Sequence, residues 1–426
     1  MNHNLRTYYI KTFGCRTNQA ESINLEKKLQ RQGFRPCLPE KIPDLVLINS
    51  CVVTKKAEKE VKQLARSTKR KWSQSKLVIL GCGPEFWERE GKKFRGADLY
   101  LINEEKEEAA LLIKKRFYSD HLTSKELGRP PCKGNLGPFL SQFTSSRILV
   151  KIQSGCSQFC AYCLVPYLRR QLFSKSITEV VSEIAQWEKR GAKEVILTGT
   201  NLFLYKPGLT KLLKVILKKT RIKRIRLGSI NWEVFDDSLI KLYASEYLRR
   251  GIKTRLCRHF HIPLQSGSGK VLKLMGRKYT PQEYLSLIAK IRRKIPGVTI
   301  STDLIVGFPG ETKGDFKESL EMLKKTRFVK AHVFRFSARE GTTAWQKVKA
   351  GKWSPVKPER IKEKARLARK LAAKIAAQEK KKLVGQGWAV LFEKEIKPGL
   401  YEGYSDNFIR GQKYSKISLV GEIRGT

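Results

Sequence analysis

Short apolar runs alternate with helix-length polar stretches twice along this chain, between residues 7 and 102 and again from Arg147 to Phe336. In the first region three runs each end in a cysteine. Tyr8-Tyr9-Ile10-Lys11-Thr12-Phe13 leads to Gly14-Cys15, Leu45-Val46-Leu47-Ile48-Asn49 to Cys51, and Leu77-Val78-Ile79-Leu80 to Gly81-Cys82. A helix is expected after the first two, one capped by Asn18 and ending at Gly33, the other starting near Thr54. Such alternation makes an open parallel sheet, in which ligands collect beyond the carboxyl ends of the strands. Cys15, Cys51 and Cys82 should therefore converge, although 36 and 31 residues separate them. A single buried cysteine is most often inert, but three at equivalent topological positions read as one three-thiol site. Cys37, Cys132 and Cys257 have no such equivalence and read as structural or incidental.

The second region carries six strand-like runs: Ile148-Leu149-Val150-Lys151-Ile152, Lys193 to Thr198, Arg224 to Leu227, His259 to Leu264, Thr299 to Val306, and Ala331 to Phe336. Alternation with helices again predicts a parallel sheet. Polar or glycine residues stand just past the strand ends, at Gly199-Thr200-Asn201, Gly228-Ser229, Gln265-Ser266-Gly267 and Gly307-Phe308-Pro309-Gly310-Glu311, where turn-making and ligand-binding residues look alike. His261 on its apolar strand reads as a satisfied core histidine.

Residues 104 to 146 are charged and then rich in Gly, Pro and Ser, as expected of a helix followed by a linker. Residues 357 to 383 predict one long helix, with Leu367, Leu371 and Ile375 forming an apolar stripe opposite a basic face. Beyond it, Ala389-Val390-Leu391-Phe392-Glu393, Gly403 to Arg410 and Ile417 to Gly421 read as short antiparallel strands between turns.

Charge changes the picture. Lys+Arg number 87 against 39 Asp+Glu, a formal net charge of +48 in 426 residues. Such a field attracts polyanions, and nucleic acid is the first partner it suggests, although a generally lysine-rich composition has the same sign. The N-terminus has no apolar signal core and no stretch approaches ~20 uninterrupted apolar residues, so a cytoplasmic protein with no membrane attachment is expected. Nine cysteines in that setting point to thiols or metal ligands rather than disulfides.

The strongest motif follows the first strand of the second region. Gly155-Cys156-Ser157-Gln158-Phe159-Cys160-Ala161-Tyr162-Cys163 places three thiols in a CxxxCxxC loop. Three thiolates can each hold one iron of a cubane and leave the fourth iron open. Structural zinc instead closes four ligands, and no second CxxC or nearby His completes such a set. With Tyr162 before its last cysteine, the loop resembles the cluster loop of radical S-adenosylmethionine enzymes. The resemblance implies a [4Fe-4S] cluster on Cys156, Cys160 and Cys163 whose open iron chelates S-adenosylmethionine. It also implies that the six strands form a partial (β/α)6 barrel.

Thr12-Phe13-Gly14-Cys15-Arg16-Thr17-Asn18-Gln19-Ala20-Glu21-Ser22 and Ile48-Asn49-Ser50-Cys51-Val52-Val53-Thr54 are similar to the first two motifs of the methylthiotransferases. His261 to Gly269, Met275 to Tyr279 and Thr302 to Thr312 match further blocks of that family. The resemblance implies a second [4Fe-4S] cluster on Cys15, Cys51 and Cys82, carrying the sulfur to be transferred. It places Thr200, Ser229, Gln265 and Asp303 around the S-adenosylmethionine or base pocket, and singles out no catalytic acid or base. The forms around Cys15 and after Cys51 look most like the branch acting on N6-threonylcarbamoyladenosine at position 37 of tRNA. The tail resembles the TRAM domain, a small RNA-binding β-barrel. Only about forty residues remain for it, fewer than the ~55 to 65 of a free-standing small domain, so packing on the basic helix would have to complete it.

The expected fold class is thus α/β: an N-terminal open parallel α/β domain over 1–118, a linker over 119–141, a radical S-adenosylmethionine core over 142–372, and a basic helix with a small TRAM-like β domain over 373–426. The implied partners are a tRNA anticodon stem-loop and a flavodoxin- or ferredoxin-like electron donor, with the enzyme a monomer. Two departures from the family pattern bear on substrate detail: Leu164 to Lys175 lacks the usual glycine after the third cluster cysteine, and Gly83-Pro84-Glu85 replaces the usual Ala-Gln after Cys82. Other readings stay open at this stage. They are methylthiolation of isopentenyladenosine in tRNA or of a ribosomal-protein aspartate, whose basic host a +48 enzyme would repel, and a non-catalytic, metal-stapled RNA-binding protein.

Overall fold

The computed structural model describes residues 6–37, 41–92, 94–118, 146–383 and 388–425. Cys132 and the expected linker over 119–141 lie outside the described residues. The chain divides into two compact units, one of Met1–Gln142 with Leu164–Gln171, the other of Phe143–Cys163 with Leu172–Thr426.

The first unit is a five-stranded parallel sheet. Its strands are β1 (Thr7–Thr12), β2 (Arg35–Pro36), β3 (Leu45–Ser50), β4 (Lys76–Gly81) and β5 (Leu99–Leu101), in the order β2-β1-β3-β4-β5. Helices α1 (Arg16–Arg31), α2 (Lys55–Lys71), α3 (Cys82–Arg89) and α4 (Ala109–Tyr118) cover both faces. Because neighbouring side chains point to opposite faces, Leu45 and Leu47 enter one core with Tyr8, Leu29 and Ile113, while Val46 and Ile48 enter the other with Val61, Ala65 and Trp87. This strand order reverses direction between β1 and β3, and in an open α/β sheet the crevice at that switch point is where ligands bind.

Two helix details differ from the sequence expectation. Cys15, not Asn18, occupies the cap position of α1, and Asn18 sits buried inside the helix with its amide turned to neighbouring loops. A helix also follows the third cysteine, since Cys82 is itself the first residue of α3. Thr54 caps α2 as expected, accepting from the Ala57 N–H.

In the second unit β6 (Arg147–Ser154), β8 (Glu194–Gly199) and β9 (Arg224–Leu227) run parallel, as do β10 (His259–His261), β11 (Thr299–Val306) and β12 (Lys330–Arg335). Isolated bridges Ile225 to Leu256 and Ser229 to His261 join the two sets into the six-stranded partial barrel. A short β7 (Phe173–Ser174) pairs antiparallel with β6, a feature too brief for periodicity to show. Capping boxes at Ser176/Glu179, Thr280/Glu283 and Thr312/Asp315 start three of the barrel helices.

The helix Pro358–Lys381 forms as expected, but its buried stripe is Lys364, Ala365, Ala368, Ala372 and Ile375, whereas Leu367 is exposed. Small alanines let it lie close on β12, and Lys364 is buried because its ammonium meets Glu311 at 2.7 Å. In the tail β13 (Ala389–Lys397), β14 (Leu400–Ser405), β15 (Arg410–Tyr414) and β16 (Ile423–Gly425) make one antiparallel sheet, ordered β15-β14-β13-β16. Gly403 to Arg410 therefore holds the end of β14, a turn and the first residue of β15, and the last strand lies after Ile417 to Gly421 rather than within it.

What completes this small sheet is the barrel. Arg224 donates to the Tyr404 carbonyl at 2.9 Å, Arg226 to the Asp406 carbonyl at 3.0 Å, and Arg258 to the Asp406 carboxylate at 2.8 Å. Arg226 and Arg147 also meet the fully buried Glu194, at 2.6 and 3.1 Å. Burial alone would raise the Glu194 carboxyl, but Arg147 and then Arg226 outweigh it and hold it at about 2.

Removing that one carboxylate leaves buried Arg226 without its ion-pair partner, while Arg147 keeps Glu393 at 2.5 Å. Glu194→Ala should lower stability by about 3–5 kcal/mol in urea unfolding at neutral pH. Because the folded-state carboxyl is depressed, its contribution is complete above the ordinary value of 4.5 and is lost as pH falls toward 2, so the gap between wild type and variant should close over that window.

Candidate functional site

The N-terminal thiols meet where the sheet topology puts them. Cys15 is exposed at the end of β1, and Cys51 and Cys82 are buried past β3 and β4. A lattice of short polar contacts fixes the three loops. Asn18 donates to the carbonyls of Phe13 and Ser50, both at 2.9 Å, and Asn49 donates to the Asn18 carbonyl at 2.8 Å. The Ser50 hydroxyl donates to the Leu80 carbonyl at 2.7 Å and accepts from the Gly83 N–H at 2.8 Å. Gly14 has φ +91°, and a Cβ there would stand 2.6 Å from the Cys51 sulfur, so only glycine fits.

Burial pushes the Cys51 thiol up to about 12, and the neighbouring Cys82 and Cys15 push the same way while Arg169 opposes them. The three sulfurs thus lie within electrostatic reach of one another. Beside them, buried Glu21 takes both Arg169, at 2.6 and 2.8 Å, and Lys106, at 2.7 Å. Burial would weaken the Arg169 charge, but Glu21 outweighs it and keeps the guanidinium protonated. Burial lowers the Lys106 ammonium, so Arg169 is the charge beside the thiols that pulls Cys51 toward its anion. Asn103 adds an N–H 3.8 Å from the Cys82 sulfur.

The second set lies on the loop that leaves β6. Buried Gln153 donates to the Gly155 carbonyl at 2.7 Å and accepts from the Asn201 N–H at 2.8 Å, fixing the loop entry against the end of β8. Phe159 holds a left-handed φ of +43°, rare for a bulky residue, which bends the chain between Cys156 and Cys160. Nitrogen donors reach the sulfurs: Asn201 Nδ2 is 3.6 Å from Cys156 Sγ, and Arg277 Nη1 is 3.5 Å from Cys160 Sγ. Burial raises the Cys156 thiol, against the Gln158 backbone and the Asn201 amide.

Both sets fit a cubane. Each offers three sulfurs with N–H donors at or near them, the environment that stabilises cluster thiolates. Among the described residues no three His, Cys, Asp or Glu side chains close on one metal-ion position.

Around the second set a polar chain runs from Cys156 through Asn201, Asn231 and Gln158 to Glu233, with links of 3.1, 3.0 and 2.9 Å after the sulfur contact. Buried Thr200 Oγ1, Trp232 Nε1, Glu233 Oε2 and Arg277 Nη2 have no hydrogen-bond partner among the described residues, which suits a polar ligand bearing both donors and acceptors. Thr200 is the residue before Asn201, whose amide meets the Cys156 sulfur. The other three candidates group together. Asp303 meets His261 Nε2 at 3.1 Å, Gln265 donates its N–H to the Asp303 carbonyl at 2.8 Å from a left-handed φ of +64°, and exposed Ser229 bridges to His261 through the backbone. His261 is consequently not a core histidine: it is half-buried, with Nδ1 2.9 Å from Ser301 Oγ. Sequence reasoning missed Glu21, Asn103, Lys106, Arg169, Asn231 and Glu233. Only Glu21 gave a signal, as the one acid in the motif around Cys15.

Residues 150–323 match the radical SAM superfamily, and residues 7–102 match the uncharacterized protein family UPF0004. The fold is similar to that of the radical S-adenosylmethionine methyltransferase TsrM of Kitasatospora setae, with a TM-score of 0.52 at 15% identity, covering 77% of this chain and 73% of that one. These place the chain among radical S-adenosylmethionine proteins. It is 34% identical to the threonylcarbamoyladenosine tRNA methylthiotransferase MtaB of Thermotoga maritima, over 95% of this chain and 91% of that protein. It is 33% identical to the tRNA-2-methylthio-N(6)-dimethylallyladenosine synthase of Thermotoga petrophila, over 93% and 88%. The chain belongs to the radical S-adenosylmethionine methylthiotransferase family, and membership implies a [4Fe-4S] cluster and S-adenosylmethionine.

Arg277 is the cation that reaches the barrel sulfurs. In a protein whose Cys15, Cys51 and Cys82 are replaced by alanine, Arg277→Met should weaken iron retention at the remaining set by about 10-fold or more, read by competition with a chelator.

Proposed function

We propose that this enzyme adds a methylthio group to carbon 2 of N6-threonylcarbamoyladenosine at position 37 of tRNA. The observation that carries the reading is the presence of two separate three-thiol sets in one chain, each furnished with N–H donors toward sulfur. Cys156, Cys160 and Cys163 hold the cluster that takes S-adenosylmethionine, and Cys15, Cys51 and Cys82 hold a second [4Fe-4S] cluster. When bound, these groups supply the hydrogen abstraction and the sulfur that no side chain of ordinary acid/base strength provides.

The protein's own share is to bind, orient and shield. Thr200, Trp232 and Glu233 offer the unpartnered polar atoms that grip the polar end of S-adenosylmethionine. Ser229, Gln265 and Asp303, the last held by His261, line the pocket for S-adenosylmethionine or the base. The +48 charge draws in an RNA, whose loop base can be splayed out and read by shape and stacking. The C-terminal sheet acts as the TRAM-like RNA contact. A basic ribosomal protein would be repelled by the same field.

For the branch, the motif around Cys15 and the threonylcarbamoyladenosine tRNA methylthiotransferases of Thermotoga maritima and Aquifex aeolicus, 34% and 32% identical, favour the threonylcarbamoyl base. The similar identity of the Thermotoga petrophila dimethylallyl enzyme keeps isopentenyladenosine as the second reading. No helix among the described residues is long and apolar enough to cross a membrane. We place the enzyme in the cytoplasm as a monomer, reduced by a flavodoxin- or ferredoxin-like protein.

Anaerobic reconstitution should load about eight irons per chain, falling to about four when either three-cysteine set is replaced by alanine. Nucleosides from tRNA treated with S-adenosylmethionine and dithionite should show 2-methylthio-N6-threonylcarbamoyladenosine by mass spectrometry, and Cys156→Ala or Cys51→Ala should abolish it. Conversion of the isopentenyl nucleoside alone would move the enzyme to the other branch. Binding of zinc without iron would defeat the two-cluster reading.

A further inference from the structure

A cleft of about 960 Å³ runs along α2 in the N-terminal unit, lined by Lys55, Lys59, Arg66, Arg70 and Arg95 with Lys62 and Lys69 between them. Its one acidic lining residue is Glu58, which meets Lys62 at 2.8 Å, and Lys69 meets Asp98 at 2.5 Å. Among the described residues the remaining five cations have no carboxylate partner, and all five are exposed. From the cleft residues alone, seven cations against one acid give a net charge of +6. The helical positions follow one stripe, since Lys55, Lys59, Lys62, Arg66 and Arg70 are spaced by three or four residues.

We infer that this cleft seats the sugar-phosphate backbone of the tRNA substrate, a contact surface separate from the C-terminal sheet. The inference rests on the tRNA reading proposed above. Cations spaced along one straight helix edge match a row of phosphates, and such contacts position a nucleic acid without reading its sequence. Lys62 lies over the rings of Trp87 and Phe94, at 5.3 and 5.7 Å, and Arg66 lies over Phe94 at 5.8 Å. The rings hold those heads in place and so lower the entropy cost of engaging a ligand. A protein partner would need an apolar or aromatic anchor at the centre of its interface, and no large apolar side chain from Lys55 to Lys71 is exposed among the described residues.

Placement adds to charge. Helix α2 starts four residues after Cys51 and runs back across the sheet, so Lys55 stands near the thiol set and Arg70 about 22 Å along the helix axis from it. Arg95, ahead of β5, lies at that far end. A base offered to the N-terminal thiols would have its flanking backbone carried away along this track.

The test is binding, not turnover. Anisotropy of a fluorescently labelled tRNA should be titrated with the full chain at several salt concentrations. Lys59→Gln/Arg66→Gln/Arg70→Gln should bind about tenfold more weakly at low salt, with the slope of log affinity against log salt shallower by about 2 to 3. A second variant, Lys55→Gln/Arg95→Gln, should show the same change at about two-thirds of that size. Lys218→Gln/Lys219→Gln/Lys223→Gln, which removes the same charge from another exposed surface, should keep wild-type affinity and slope. Wild-type affinity and slope in both cleft variants, while wild type still modifies tRNA, overturns the cleft assignment and leaves the proposed function standing. An equal loss in the control triple overturns it too, because net charge alone would then explain the binding. If the cleft variants lose only an acidic flavodoxin-type protein and keep tRNA, the surface belongs to the reductant and the inference fails. Absence of any tRNA binding by wild type removes the proposed function and the inference together.

Discussion

Three sulfurs that belong to three different strands can act together only if the strand ends are locked to one another, and here two side-chain amides and a hydroxyl do the locking. Asn18 spans the Cys15 and Cys51 loops, Asn49 holds Asn18, and Ser50 ties the end of β3 to the start of α3, where Cys82 sits. All three are buried, so each contact is made in a medium where an unpaired polar group is expensive and a paired one is rigid. Glu21 then sets the electrostatics of the same spot by holding Arg169 and Lys106 together. Geometry and charge at this spot are thus set by the protein's own side chains, as a site needs if its ligands are to be in position.

The two thiol sets solve one problem in different ways. In the barrel the three sulfurs come from one short loop, and the structure's effort goes into bending it: a left-handed Phe159, a Gln153 that braces the entry, an Asn201 carried in on the next strand. In the N-terminal unit the loops are ordinary and the sheet topology does the gathering, because β1 and β3 flank the reversal in strand order. The first arrangement is local in sequence, the second purely tertiary.

That difference explains what could be read from the chain alone. The longer parallel strands and the strand-end positions of the cysteines were legible because periodicity carries them directly, whereas β2, β5 and β7 are too short to show. Asn18 was read as a helix cap because its residue type favours caps, and tertiary hydrogen bonds to Phe13 and Ser50 took it inside the helix instead. The stripe on Pro358–Lys381 was misplaced because leucines stand out by hydropathy, whereas close packing selected alanines and a lysine with a partner. Arg169 was invisible for a simpler reason. Its carboxylate lies 148 residues away in sequence, and nothing in a run of basic residues marks the one that will be buried.

The arginine clasp between barrel and tail has an evolutionary side. Arg224, Arg226 and Arg258 spend their hydrogen bonds on backbone and carboxylate groups of the small sheet, and Arg226 and Arg258 are almost wholly shielded from water. A lineage that lost the sheet would expose or orphan these guanidinium groups at once, so the tail cannot be shed in steps. Nor could a sheet from an unrelated protein be grafted in its place without carrying carbonyls and a carboxylate to the same three points. Inheritance of the two parts is tied.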